Sequence, residues 1–402
     1  MHAHHETLLA STVRYARGFL PEHLTPQIKE LFASVWIQSF ALSAVSLFEP
    51  IYLYTLGYPL YQIMLFYLGV YIIYFLLMPL GGKFVKQKGF THGIIYGSFF
   101  LILYYVFLFQ VPNHIGFLFL SMVAFALQKT FFWPGFHGDF AFFGTSHERG
   151  RELGVMQIVA SLVVILGPLF GGIIIALFGF PTLFIIVVGL ILVSNIPLFI
   201  TKEVFIPSQL CYGDCYQELF SKENRRHFFG YAGYGEEFIW QFAWPLFAYL
   251  VLANVVQLGS LVAATIVVSS LVLLYIGRLI DKTDRKQIMK VGTVLYVLSW
   301  LSRMVMITPF GMLASDVFAR TVRHPVQLPL TAGVYSRAIA TQHIIKTVIL
   351  FEMALVVGKI VAAAALAIVF YFWGPRWDIV FFMGALFSML YLFLTHRTEK
   401  HI

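Results

Sequence analysis

Apolar stretches of about 20 residues, each long enough to cross a bilayer as a helix, follow one another along the whole chain. Taking glycine, proline and charged clusters as breaks, the sequence predicts twelve spans, numbered 1 to 12 in chain order. They cover residues 30–56, 59–82, 91–111, 114–143, 150–178, 181–201, 228–256, 258–278, 287–308, 310–337, 343–373 and 377–396. Only 11% of the 402 residues are charged, whereas a soluble protein carries about a quarter. The fold class is therefore predicted to be an all-α polytopic membrane protein.

Basic residues occur on alternate loops between these spans. The loops after spans 1, 3 and 5 (LGYP, VPNH and FGFP) are uncharged, while the loop after span 2 holds Lys83, Lys86 and Lys88 and the next charged loop holds Arg149 and Arg151. Positively charged loops stay in the cytoplasm, so both termini are expected there. The even number of spans agrees with that orientation.

The longest polar loop, KEVFIPSQLCYGDCYQELFSKENRRH, separates six spans from six. The predicted domains are a cytoplasmic N-terminal segment at 1–29, a six-helix bundle at 30–201, a cytoplasmic linker at 202–227 and a second bundle with a short tail at 228–402. Such a division is typical of a duplicated transporter. The two cysteines, Cys211 and Cys215, lie in the linker without a ligand set for zinc, and no metal or other cofactor is expected.

A charged motif follows span 8. Its gate residues are Gly277, Arg278, Asp281, Arg285 and Lys286 in the run GRLIDKTDRK, which resembles the loop signature G-x-L-A-D-R-x-G-R-K of the major facilitator superfamily (MFS). At the matching place in the first half, GKFVKQKG keeps the glycines but has Lys86 in the position of the aspartate. The resemblance covers residues 30–396. It implies two six-helix bundles, secondary transport by alternating access, no enzymatic activity, a monomer, and location in the cytoplasmic (plasma or inner) membrane.

A second motif lies in span 5. Its residues are Gly154, Gly167, Pro168, Gly171 and Gly172, and they resemble the family's antiporter signature G-x(8)-G-x(3)-G-P-x(2)-G-G, with Val163 in place of the middle glycine. The family associates this signature with proton-coupled exporters, which favours export over import. A plain packing face between helices would require the same small residues.

Charged and polar residues within the membrane indicate function, because an ionisable side chain is costly in lipid. The resemblance places spans 1, 4, 7 and 10 around a central cavity, and these spans carry most of them. The predicted substrate-binding residues are Gln38, Lys129, Trp133, His137, Trp240, Gln241, Arg320 and Arg323. The predicted proton-coupling residues are Glu236, Glu237 and Asp316. Which of the two adjacent glutamates faces the cavity stays open at this point, because neighbours differ by about 100° around a helix.

Lys129 and Arg320 occupy equivalent positions when the two halves are aligned on Pro134 and Pro325. One basic residue from each half could hold an anion between the bundles. The alternative is charge balance, with the acidic residues pairing to Arg303, Arg320 and Arg323. Three other charged residues fall outside this scheme. Glu49 is expected at the outer rim, and Glu352 and Lys359 are expected to pair with each other or to contact a neighbouring helix.

The sequence thus favours secondary transport of a small organic anion or zwitterion, driven by protons or by sodium. An alternative is proton-driven efflux of lipophilic or cationic compounds, and a third is a membrane sensor or scaffold without flux. The expected partners are the substrate, the coupling ion and the lipid bilayer, with no nucleic acid. No zinc-protease, phosphate-loop or nucleophile-elbow motif is found, so no enzymatic activity is expected.

Overall fold

The computed structural model describes residues 26–143, 149–199, 212–280, 285–341 and 343–395. Throughout these ranges the regular structure is helical. The helices are α1 Pro26–Val45, α2 Glu49–Thr55, α3 Leu60–Lys88, α4 Phe90–Gln110, α5 Gly116–Phe143, α6 Arg149–Ser194, α7 Tyr212–Leu219, α8 Arg225–Ala232, α9 Gly235–Phe238, α10 Trp244–Leu252, α11 Val255–Ile280, α12 Arg285–Ser302, α13 Pro309–Ala340, α14 Ile344–Trp373 and α15 Trp377–Met389. Short 3-10 turns follow α6 and α15, and a π-helix, Ile239–Ala243, precedes α10.

Within the described residues, eight helical stretches are long and apolar enough to cross a membrane. They are Phe32–Thr55, Leu60–Lys88, Phe90–Gln110, Gly116–Asp139, Val163–Phe199, Val255–Leu273, Ile344–Trp373 and Trp377–Leu394. No described helical stretch at predicted spans 7, 9 and 10 is both long and apolar enough to be among them. Span 7 is broken into short helices, and α13 carries the charged residues of span 10.

Predicted spans 5 and 6 form one helical stretch, α6, with a bend at Gly179. The backbone of Gly179 has φ 81°, a left-handed conformation that glycine adopts without a Cβ penalty. Pro181 follows two residues later and cannot donate a backbone hydrogen bond across the bend. The single stretch therefore changes direction at the position where the sequence places the loop FGFP.

Span 7 is interrupted next to its polar residues. The backbone N–H of Trp244 bonds to the carbonyl of Ile239, five residues earlier, which defines the π-helix. Pro245 follows at the start of α10, where its ring would clash with the carbonyl four residues before it in a regular helix. Widened turns of this kind occur often at functional sites, and this one contains Trp240 and Gln241.

The glycine-rich motif of α6 is a packing surface on two sides. A Cβ on Gly167 would lie 1.9 Å from Ser43 Oγ, and one on Gly171 would lie 1.9 Å from the Ala44 carbonyl oxygen, both in α1. On the other side, a Cβ on Gly172 would lie 2.7 Å from the carbonyl oxygen of Val255, at the start of α11. The motif therefore holds α6 tightly against both the first and the second half of the chain. Pro168 and Gly154 lie in the same helix.

The charged motif after span 8 joins two helices. Gly277 and Arg278 lie in the last turns of α11, and Arg285 and Lys286 begin α12. Asp281 lies outside the described residues. In the linker, the described part forms α7, where the hydroxyl of Tyr216 donates to the carbonyl of Leu76 in α3 at 3.0 Å. The linker helix therefore contacts the first half of the chain.

Candidate functional site

A cavity of about 490 Å³ lies between the two halves of the chain. Its walls come from α1, α2, α4, α5 and α6 on one side and from the π-helix, α10, α11 and α13 on the other. Seven of the eight predicted substrate-binding residues line it: Gln38, Lys129, Trp133, Trp240, Gln241, Arg320 and Arg323. The structure therefore brings together in one cavity residues that are almost 290 positions apart.

Two polar side chains of the first-half wall lack polar partners within the described part of the chain. The Lys129 ammonium lies 4.2 Å from the centre of the Phe125 ring, and no carboxylate lies within 4.0 Å of it. Gln38 is 2% exposed, and neither its amide nitrogen nor its amide oxygen has a hydrogen-bond partner. Buried polar groups are normally satisfied, so an unsatisfied amide and an unpaired ammonium in the lining of one cavity point to a bound ligand.

Glu49 is not the rim residue that the sequence indicated. Its side chain is 2% exposed and lines the cavity at the start of α2. It accepts hydrogen bonds from the hydroxyls of Tyr105 at 2.7 Å and Tyr104 at 3.1 Å, both in α4. The expectation was wrong because α1 ends at Val45 and the chain restarts as α2, which turns the Glu49 side chain toward the bundle.

The basic residues of the second-half wall, by contrast, are paired. Asp316 accepts from Arg320 Nε and Arg303 Nη2, each at 2.7 Å. The Arg323 guanidinium lies 3.1 Å from Glu237 and 3.9 Å from the centre of the Trp240 ring. Asp316 and Glu237, which do not line the cavity, neutralise the positive charges of Arg320 and Arg323. The second-half wall therefore presents paired arginines to the cavity.

The two adjacent glutamates separate into different environments. Glu236 is fully buried and accepts from the hydroxyls of Tyr296 at 2.5 Å and Tyr391 at 3.0 Å. Glu237 is bound by the ammonium of Lys359 at 2.7 Å as well as by Arg323. Neither glutamate lines the cavity, and nor does Asp316. Each of these carboxylates instead binds an arginine that lines the cavity, Arg323 for the two glutamates and Arg320 for Asp316.

His137 also lies outside the cavity lining, although it stacks on Trp133 with ring centres 5.2 Å apart. Its Nδ1 atom lies 2.7 Å from the Tyr335 hydroxyl, and its Nε2 atom lies 3.2 Å from Glu352. Glu352 in turn accepts from the Tyr74 hydroxyl at 2.8 Å. Side chains of both halves of the chain thus form one polar cluster outside the cavity lining, made of His137, Tyr335, Glu352 and Tyr74.

Comparison with known proteins addresses the fold and the family. The family model described as Major Facilitator Superfamily matches residues 31–209. The structure is similar to the crystal structure of an MFS transporter, FucP, in the outward conformation, with a TM-score of 0.64. That likeness covers 92% of this chain and 99% of FucP at 12% identity, which shows the fold alone. The resemblance to the major facilitator superfamily is confirmed. No curated protein matches the sequence.

The family match over residues 31–209, the fold and the apolar helical stretches support an integral, multi-pass membrane protein. MFS proteins are typically transporters rather than enzymes, and the family suggests secondary transport. In an MFS fold the cavity between the two halves is the candidate substrate site.

One residue of this cavity, Glu49, escaped the sequence analysis. Glu49 was dismissed for its place near a span end, although any carboxylate inside an apolar stretch is a functional signal. Lys359 was expected to pair with Glu352 or to contact a neighbouring helix, and it does the second, binding Glu237 of α9. That contact joins α14 to α9 and could not be read from spacing along one helix.

Proposed function

We propose that this protein is a proton-coupled secondary transporter of a small organic anion, working by alternating access as a monomer. The observation that carries the proposal is the ammonium of Lys129, which lines the same cavity as the unsatisfied amide of Gln38 and has no carboxylate within 4.0 Å among the described residues. A cation inside an apolar helical bundle is costly unless a ligand or a residue supplies negative charge. A substrate carboxylate or phosphate at Lys129 would supply it.

The proposed arrangement in the membrane has twelve crossings in two bundles of six, at 30–201 and 228–402, with 202–227 as the linker. Both termini would lie in the cytoplasm, because the lysine- and arginine-rich loops all fall on that side. Gly179 supports the count, since it bends α6 at the loop predicted between spans 5 and 6. The membrane would be the plasma or inner membrane.

The body of the substrate would meet aromatic surfaces. The cavity volume of about 490 Å³ falls within the range of small-molecule sites, roughly 300–1,000 Å³. Trp133 and Trp240 line opposite walls, and the outer face of Trp240 is held flat by Arg323. These features favour an anion with an aromatic or other apolar body, bound at its charged end by Lys129.

Alternating access requires contacts between the halves that open in turn. One such contact is the packing of Tyr54 on Tyr249, with ring centres 6.5 Å apart. A second is the cluster of His137, Tyr335 and Glu352, which joins α5 to α13 and α14. Rocking of the two bundles about the cavity would break one set of contacts while it keeps the other.

Glu236, Glu237 and Asp316 would support transport by holding the arginines of the second-half wall in place. Glu236 and Glu237 bind Arg323, and Asp316 binds Arg303 and Arg320. The glycine motif of α6 favours neither direction of transport, because Gly167, Gly171 and Gly172 are all used for close packing.

A second candidate function is efflux of lipophilic cations. It is favoured by the Glu49 carboxylate, which lines the cavity without a cation within 4.0 Å among the described residues. Trp133 and Trp240 could then stack on the cation. Lys129 argues against this function, since its positive charge would repel such a substrate within the same cavity.

Thermal unfolding of the purified protein in detergent tests the two functions directly. The panel would contain carboxylates, phosphate esters, lipophilic cations and neutral sugars, and a ligand at 100 times its dissociation constant adds about 2.7 kcal/mol of stability. We expect anions to stabilise the protein, and this effect to be lost in Lys129→Gln but kept in Lys290→Gln, which removes an exposed lysine of α12. Stabilisation by cations alone, lost in Glu49→Gln, would instead support efflux.

A further inference from the structure

We propose that Glu49, rather than the arginine-paired carboxylates, carries the transported proton, and that this proton travels together with the anion bound at Lys129. The inference rests on the proposed function and adds two details to it: the residue that carries the proton and the direction of the proton relative to the anion. It makes the protein a proton–anion symporter, which under an inward proton gradient takes up its substrate.

The first argument is the environment of the Glu49 carboxylate. It is 2% exposed, and its hydrogen-bond partners are the neutral hydroxyls of Tyr104 and Tyr105. Two hydroxyls can stabilise either form of the group, because a tyrosine hydroxyl both donates and accepts. A carboxyl held in this way can exchange a proton without breaking an ion pair.

The other carboxylates around the cavity are held by cations. Asp316 binds two arginines at 2.7 Å each, and Glu237 binds Lys359 at 2.7 Å and Arg323 at 3.1 Å. Glu236 lies 3.5 Å from Arg323 and has no surface on the cavity. Protonating any of them would leave a buried cation without its partner, a change that costs several kcal/mol in other proteins. Glu49 alone in this set both lines the cavity and lacks such a cation.

The groups that face Glu49 come from three helices. Tyr104 and Tyr105 of α4 donate to it, Tyr67 and Tyr71 of α3 lie close enough to interact with its charge, and Lys129 of α5 does so from the cavity wall. Four of these five groups are neutral phenols, so Lys129 is the cation that acts on Glu49. The charges of Lys359, Glu49, Glu237 and Glu352 all act on Lys129.

This geometry couples the proton to the anion. With no substrate, the positive charge of Lys129 favours the ionised form of Glu49. An anion bound at Lys129 cancels that charge, and Glu49 then takes up a proton from the water of the open cavity. By linkage the effect is reciprocal, so protonated Glu49 also strengthens anion binding. Proton and anion therefore load together and leave together.

Infrared difference spectroscopy tests the proton carrier without a substrate. The C=O band of a protonated carboxylic acid, identified by its shift in D2O, would be followed as the pH is raised on the purified full chain. We expect one such band to be lost in Glu49→Gln and kept in Glu236→Gln and Glu237→Gln. A band that survives in Glu49→Gln, or the absence of any band in the wild type at every pH, overturns the proposal.

Two further variants test the assignment of the band to Glu49 and its coupling to Lys129. Tyr105→Phe removes one hydrogen bond while the carboxyl stays, so it should shift the frequency of the band even if Glu49→Gln does not fold; no shift would contradict the assignment. Lys129→Gln should let the band persist to higher pH, because the cation that favours the carboxylate is gone; an unchanged titration would contradict the coupling. If the protein moves no anion at all, the proposed function fails, while these spectra still report whether Glu49 holds a proton.

Discussion

The Lys129 ammonium and the Glu49 carboxylate line the same cavity without forming an ion pair with each other. Each is the charged residue of the first-half wall that has no oppositely charged partner within the described residues. Elsewhere around the cavity, acids and bases are matched, as Asp316 is with Arg303 and Arg320. The first half therefore holds the two charges that are free to act on a substrate and on a proton, and the second half supplies a neutralised, aromatic wall.

Close packing at Gly171 makes it sensitive to the smallest substitution. In Gly171→Ala the new Cβ would meet the carbonyl oxygen of Ala44 at 1.9 Å, and backbone must move to relieve the clash. We expect a loss of roughly 1–3 kcal/mol, measured as a lower thermal midpoint in detergent. Gly189→Ala is the matched control, because nothing lies within 4 Å of its Cβ position. Equal midpoints for the two variants would contradict the packing.

Asp316 is expected to be essential for folding. Asp316→Asn leaves Arg303, which is 2% exposed, and Arg320 without their shared carboxylate. Breaking a buried pair in this way costs roughly 3–5 kcal/mol, so folded yield should fall sharply on size-exclusion chromatography. Asp378→Asn, which breaks the exposed pair with Arg376, should behave like the wild type. A normal yield of Asp316→Asn would show that this triad is dispensable.

The family resemblance, the helical fold and seven of the residues that line the cavity could be predicted from the sequence. Gln38, Lys129, Trp240 and Arg320 were found because polar residues in apolar spans are rare and because the two halves align on Pro134 and Pro325. Contacts between helices could not be found in that way. The direction of Glu236 and Glu237 depends on the turns around Gly235 and the following π-helix, which spacing along a regular helix does not describe.

His137 shows the same limit. Its spacing of eight residues from Lys129 places it on the same face, yet the cavity lining in α5 ends at Phe136, and the His137 side chain lies against Tyr335 and Glu352. Where a cavity ends is determined by the opposing helices. Here those are α13 and α14, whose contacts lie about 200 residues away in sequence.

The Glu352 cluster should control access to the cavity. Glu352→Gln removes the negative charge opposite His137 and weakens the contact between the halves. We expect maleimide labelling of a cysteine placed at Ser39, in a chain with Cys211 and Cys215 replaced, to become faster from the cytoplasmic side by roughly fivefold, the effect of about 1 kcal/mol. Glu223→Gln, which changes an exposed glutamate, should leave labelling unchanged. Unchanged labelling in Glu352→Gln would exclude this cluster as a gate.

His227, at the membrane boundary before span 7, should make stability depend on pH. Burial, together with the positive charges of Arg337 and Arg226, lowers its pKa from 6.5 to about 4. Between these two values the unfolded chain binds a proton that the folded chain does not, so stability falls as the pH drops from about 6.5 to about 4. In His227→Gln the thermal midpoint should fall less over that range. Parallel curves for the two proteins would show that His227 is not responsible.

The most direct test of the account is anion flux in proteoliposomes with an imposed proton gradient, using the radiolabelled anion that best stabilises the purified protein. The wild type should accumulate the anion on the side to which protons flow. Lys129→Gln should abolish both accumulation and anion exchange, and Glu49→Gln should lose accumulation while it retains exchange. Accumulation that persists in Glu49→Gln, or anion movement opposite to the protons in the wild type, would contradict symport through Glu49 and Lys129.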